Sequence, residues 1–137
     1  MNLVEKLLKV DSGKVNERKT KEIKSKRLGD ILGMNEAAVI SITEIHAKRL
    51  NDIIAKQFNA KGTFDISKSF DAKAIACVEG IVDPDLRSKE LQEHFGCGTP
   101  KDLAIKLFGN EITSISDEIT VLSGYNSVEE TDEEIKN

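Results

Sequence analysis

The sequence is poor in the residues that build aromatic cores and in those that interrupt helices. Its 137 residues include no Trp, one Tyr, five Phe and two Pro. The core must therefore be built from Ile, Leu, Val and Ala, and the scarcity of Pro favours uninterrupted helices. The length suffices for one domain with its own core and is too short for two comfortable ones.

Long hydrophobic runs and a leader pattern are also lacking. No apolar stretch approaches the roughly 20 residues that a membrane-spanning helix needs. The first 14 residues have neither the apolar run nor the cleavage site of a signal peptide. We therefore expect a cytoplasmic protein with no membrane partner. In that compartment Cys77 and Cys97 are expected as free thiols.

Charge is unevenly distributed along a chain of net charge −4, which argues against a dedicated nucleic-acid binder. A basic cluster comprises Arg18, Lys19, Lys21, Lys24, Lys26 and Arg27. The last nine residues contain Glu129, Glu130, Asp132, Glu133 and Glu134. Each run is typical of a solvated surface. Residues 126–137 have little apolar area to bury, so we predict a disordered acidic tail after a folded domain of residues 1–125.

The first third of the chain predicts a helix followed by a small β element. An amphipathic helix over residues 2–10 can be capped by Asn2, with Leu3, Val4, Leu7 and Leu8 on one face. Residues 14–19 are polar and predict a loop.

Two strands are predicted to flank a short helix. Residues 20–26 can form a strand with Ile23 facing inward, and the β-branched alternation of residues 38–43 predicts a half-buried one. Between them, Leu28, Ile31 and Leu32 indicate a short helix that Gly33 ends. The strands can pair into an antiparallel ribbon.

The remainder predicts helices. Thr43 can cap a helix to about residue 58 with Ala47, Leu50, Ile54 and Phe58 in one stripe. Asp65 can cap a helix through Val82 whose wide apolar arc is typical of a central, buried helix. Three further helices are indicated by Leu86, Leu91 and Phe95, by the Thr99-Pro100 start, and by Ile112, Ile115, Ile119 and Leu122 after Asn110. The predicted fold is mainly α with a small antiparallel β element (α+β), in a single compact helical domain.

Candidate chemical motifs do not assemble into a site. His94 and Cys97 are three residues apart, but a zinc site needs about four ligands and no second pair exists. Cys77 lies among apolar neighbours, which is the wrong setting for a reactive thiolate. The glycines at 96 and 98 lack the Gly-Lys-Ser/Thr ending of a phosphate-binding loop. We predict no catalytic, cofactor-binding or metal residues.

Residues 26–45 also fit the outline of a helix-turn-helix with Gly33 in the turn. Reading bases in the major groove needs Arg, Lys, Asn or Gln on the outer face of the second helix. That segment offers only Asn35, while Glu36 and Glu44 repel the phosphate backbone. Its Val, Ile and Thr residues prefer a strand.

A series of short motifs occurs in a fixed order between residues 20 and 125. They are KRLGDILG (26–33), FDA (70–72), CVEGIVDPDL (77–86), KEL (89–91), FG (95–96), TPKDL (99–103), LF (107–108), ISDEI (115–119) and LSGY (122–125). In order and spacing they resemble the XkdN-like phage tail assembly chaperones.

The resemblance implies a non-enzymatic phage or prophage protein that assists tail assembly. It implies binding to the tape measure protein, a long helical protein that sets tail length, and recruitment of the tail tube protein as a second partner. It places the protein in the cytoplasm of the bacterial host and outside the mature virion, and leaves a homo-oligomer open. Two alternatives remain: a DNA-binding regulator built on residues 26–45, and a structural tail component.

Overall fold

A computed structural model describes residues 1–125 of the chain, so the predicted acidic tail over residues 126–137 lies outside the described residues. The elements in chain order are α1 (Leu3–Leu8), a short 3-10 helix (Ser12–Asn16), β1 (Thr20–Ser25), α2 (Lys26–Ile31), β2 (Ala38–Thr43), α3 (Ala47–Ala55), α4 (Ile66–Gly80), β3 (Ile81–Asp83), α5 (Lys89–His94), α6 (Pro100–Phe108) and α7 (Glu111–Leu122). The 3-10 helix overlaps the loop predicted for residues 14–19, so that prediction was partly wrong.

The strands form an antiparallel sheet in the order β1-β2-β3. Ile23 lies opposite Ile40 across β1 and β2, and α2 connects these two strands. The predicted ribbon around a short helix is confirmed. Ile40 and Ile42 face the core and Val39 faces outward, as strand alternation requires.

The third strand was missed, because the sequence predicted a helix through Val82. Helix α4 ends at Gly80, and Ile81 pairs with Ile42 on β2. Gly80 is a poor helix former, and the β-branched Ile81 and Val82 favour a strand once β2 offers hydrogen-bond partners. The partner strand lies about forty residues earlier in the sequence, which is why local periodicity could not reveal it.

Helix α3 is shorter than predicted at both ends. It begins at Ala47 after His46, because Thr43 belongs to β2 and its hydroxyl donates to the Lys19 carbonyl at 3.0 Å instead of capping a helix. It ends at Ala55, so Phe58 lies beyond it and is exposed. The buried face of α3 is formed by Leu50 and Ile53.

Most predicted helix starts are confirmed. The side chains of Asn2, Asp65 and Thr99 each accept a backbone hydrogen bond from the first turn of their helix. Asn110 occupies the cap position of α7, but its side chain makes no capping hydrogen bond. Helix α5 begins only at Lys89, so Leu86 is buried before the helix rather than on it.

The core lies between the inner face of the sheet and helices α4, α6 and α7. Its fully buried large side chains include Ile40, Ile42, Leu103, Phe108, Ile112 and Ile119. The fold class is confirmed as mostly helical with a small antiparallel sheet in a single domain.

Candidate partner-binding surface

An apolar groove opens between α2, the first residues of β2, the end of β3 and α5. Its volume is about 440 Å³. The lining includes Leu28, Ile31, Leu32, Val39, Pro84, Leu91 and Phe95. These residues are spread over nearly seventy positions of sequence, so the groove is a product of the fold rather than of a motif.

One wall of the groove is fixed by a carboxylate from α7. The Ser25 hydroxyl accepts from Leu28 N at 3.1 Å and donates to Glu111 Oε1 at 2.6 Å. Glu111 Oε2 accepts from the backbone N–H groups of Lys26 and Arg27 at 3.1 and 3.3 Å. A carboxylate is favoured at a helix N-terminus because the unpaired N–H groups there carry partial positive charge. Helix α2 is thereby held against the body.

Two residues of the KRLGDILG motif complete this attachment. Arg27 Nε and Nη2 donate to the carbonyls of Leu107 and Lys106 at 3.1 and 2.9 Å, where α6 ends. A Cβ at Gly29 would lie 2.4 Å from the Glu36 carbonyl oxygen, so only glycine lets α2 approach the chain before β2 this closely. The motif therefore builds one wall of the groove and attaches it to α6 and α7.

Several of the aliphatic side chains that line the groove are exposed. They are Ile31, Leu32 and Val39. Asp83 lines the groove, while Asp30 and Glu90 line two adjoining concavities that share Ile31 and Leu91 with it. A contiguous apolar surface with a charged rim is typical of a site that binds another protein.

The predicted amphipathic helix at the N-terminus forms, but it does not join the core. Asn2 Oδ1 accepts from Glu5 N at 2.9 Å, as expected of the cap. All residues of α1 are exposed, including the apolar Leu3, Val4, Leu7 and Leu8. The protein thus carries a second uncovered apolar surface, separate from the groove.

The structure does not form the helix-turn-helix considered for residues 26–45. Its would-be recognition helix is strand β2. Members of the basic cluster are engaged by the protein itself: Lys21 Nζ pairs with Glu118 at 2.8 Å and Arg18 Nε lies 3.3 Å from His46 Nε2. Lys21 lies on β1 and Arg18 precedes that strand, so neither side chain projects from a helix that could enter a groove of DNA.

The sequence candidates for thiol or metal chemistry do not form a metal-binding group within the described residues. Cys77 is buried on α4, its Sγ lies 3.5 Å from the Ile112 carbonyl, and burial raises the pKa of the thiol to about 12. Cys97 is half-buried, and His94 packs edge-on against the Phe95 ring. Among residues 1–125, His, Cys, Asp and Glu side chains form no group of three or more that could hold a metal ion. None of the helices in this part of the chain has the length and apolar character that crossing a bilayer demands.

Comparisons with known proteins found a matching protein family and a similar solved structure. The family model described as "Phage XkdN-like tail assembly chaperone protein, TAC" matches residues 4–136. The crystal structure of the protein YqbN is similar with a TM-score of 0.54 and 17% identity, covering 78% of this chain and 87% of that chain. At this identity the likeness shows a shared fold alone. The chain matches no curated protein.

Proposed function

The chain belongs to the phage XkdN-like tail assembly chaperone family, and we propose that it binds the tape measure protein through the apolar groove between α2 and α5. The observation that carries this proposal is the groove itself, which is mainly apolar and is lined by exposed Leu32 and Val39, while Glu111 and Arg27 attach its α2 wall to the body. The family membership implies a partner among tail proteins; the choice of the tape measure protein is the proposal.

The chemistry of such a partner fits the groove. A long helix with an apolar stripe is an aggregation hazard until it is covered. An aliphatic groove covers such a stripe by receiving side chains spaced three and four residues apart on one helix face. The groove accommodates only a short helical segment, so several chaperone molecules would be needed along one tape measure protein.

The remainder of the proposal follows from this role. The chaperone acts in the cytoplasm of the bacterial host, performs no chemical reaction and needs no cofactor. It is released when subunits of the tail tube protein, its proposed second partner, replace it on the tape measure protein, and it is absent from the mature virion.

Co-expression with the tape measure protein tests the proposal. Wild-type chain should keep the tape measure protein soluble and co-purify with it. Val39→Asp places a charge in the groove and should abolish this effect. Val121→Asp on α7 is the matched control, because Val121 is 57% exposed and Val39 is 55% exposed. Equal insolubility of the tape measure protein with and without the wild-type chain would refute the proposal.

The two alternatives give different results. A DNA-binding regulator would show tight, sequence-dependent binding in a gel-shift assay at physiological salt, whereas a chain of net charge −4 should show only weak binding that salt removes. A structural tail component would be recovered in stoichiometric amounts from purified tails.

A further inference from the structure

Helix α1 carries an apolar face that the described chain leaves uncovered. Leu3, Val4, Leu7 and Leu8 lie on one side, and Glu5, Lys6 and Lys9 cover the other. An isolated helix of this length is marginal in water, since helices shorter than about 12–15 residues rarely persist alone. A six-residue helix with this pattern gains stability when another surface covers its apolar face.

The groove offers a surface with matching properties. Its lining is mainly apolar and includes Asp83. The two adjoining concavities add Asp30, Glu90 and Glu111 against Lys26 and Arg27, so the border is acidic on balance. The charged side of α1 is basic on balance, with Lys6 and Lys9 against Glu5. Opposite charges around an apolar contact fix its register and disfavour other partners.

We propose that α1 of one molecule docks in the groove of a second copy of the chain. The inference rests on the proposed function to the extent that α1 and the tape measure helix then compete for the same groove. Each such contact would cover the α1 of one molecule and the groove of its neighbour, and the tape measure protein would displace α1. Before the tape measure protein is bound, α1 of a neighbouring molecule would cover the groove and keep the chaperone soluble.

This contact would join molecules head to tail. One molecule contributes α1 and the other contributes its groove, so the contact is heterologous. A pair of molecules joined in this way retains one free α1 and one free groove. Association should therefore continue beyond the dimer as concentration rises.

Sedimentation velocity of the full chain over a wide concentration range tests the contact. Wild-type chain should show concentration-dependent association beyond a dimer. Leu8→Asp should weaken the association at least tenfold. Val15→Asp is the matched control and should leave the association unchanged, because Leu8 is 80% and Val15 82% exposed. In the groove, Val39→Asp should weaken association by a similar factor and Val121→Asp should leave it unchanged.

A mixing experiment separates this contact from a symmetric dimer. The Leu8→Asp chain retains an intact groove and the Val39→Asp chain retains an intact α1. Neither should associate alone, yet an equimolar mixture should form a one-to-one complex and stop there, because only one productive contact remains.

Several outcomes would overturn the inference. The first is a wild-type chain that stays monomeric at every concentration, and this includes a chain whose α1 folds into its own groove. The others are a Leu8→Asp chain that associates like wild type and a mixture that forms no complex. The proposed function fails separately. If Leu8→Asp loses self-association while neither it nor the wild-type chain binds the tape measure protein, the inference stands and the proposed function does not.

Discussion

At the scale of single residues, Glu111 attaches the start of α2 to the start of α7. Its carboxylate receives the Ser25 hydroxyl and two backbone N–H groups of α2, although these partners lie 84 to 86 positions away in sequence. Nothing in the local pattern of residues 110–112 could have predicted this role. The sequence identified Asn110 as the helix cap but gave no sign that its neighbour caps a different helix.

Replacing Glu111 should therefore cost more than replacing another glutamate on α7. We expect Glu111→Ala to lower the free energy of unfolding by about 1–3 kcal/mol, because it leaves the buried Ser25 hydroxyl and the α2 N-terminus without their acceptor. Glu118→Ala removes an exposed ion pair with Lys21, which is typically worth about 0–1 kcal/mol. Denaturant unfolding measures both. Equal losses of unfolding free energy in the two variants would mean that the Glu111 contacts stabilise the protein no more than an exposed ion pair does.

The two cysteines should differ in reactivity. Burial raises the pKa of the Cys77 thiol to about 12, so this group stays protonated and unreactive through the neutral and mildly alkaline range. We expect an alkylating reagent at pH 8 to label the half-buried Cys97 in the native protein and Cys77 only after denaturation. Mass spectrometry of the labelled protein distinguishes the sites. Rapid labelling of Cys77 in native protein, or finding both thiols blocked as a disulfide, would contradict the structure.

At the scale of elements, the sequence predicted what local chemistry determines and missed what distant partners determine. Capping by Asp65 and Thr99 depends on residues within one helical turn, and both caps are confirmed. Strand β3 depends on β2, and the true start of α3 depends on Thr43 belonging to a strand. The groove could not be predicted for the same reason, since its walls come from five elements that only the fold brings together.

The junction between α4 and β3 depends on the absence of a side chain at Gly80. A Cβ there would lie 2.6 Å from the Cδ1 and Cγ2 atoms of Ile119 on α7. Gly80→Ala should therefore destabilise the protein by about 1–3 kcal/mol, as overpacking of a core does. Gly98→Ala is the control, because a Cβ at Gly98 meets no described atom within 4 Å. Similar melting temperatures for the two variants would show that α4 and α7 can separate without cost.

At the scale of the whole molecule, the family match and the described fold differ in extent. The family model continues to residue 136, whereas the described elements end with α7 at Leu122. The last residues of the chain therefore belong to the family pattern, and we propose that residues 1–125 fold without them. The acidic residues in that segment can keep a complex soluble or contact a basic partner.

Removal of residues 128–137 tests this division. The deletion takes away mostly charge and little apolar area, so the melting temperature should stay within a few degrees of the wild-type value. A larger fall in thermal denaturation would show that the segment packs on the fold. Binding of the tape measure protein by the truncated chain can be compared in the same preparation, which separates a role in partner contact from a role in stability.

The most direct test of the central claim is calorimetric titration of a soluble tape measure fragment into purified chain. Binding through the groove predicts that Val39→Asp weakens the affinity at least tenfold and that Val121→Asp leaves it unchanged. It also predicts that affinity persists at moderate salt, because the contact is mainly apolar and is little screened. Affinity that is equal for the two variants, or that salt abolishes, would contradict the groove as the binding site.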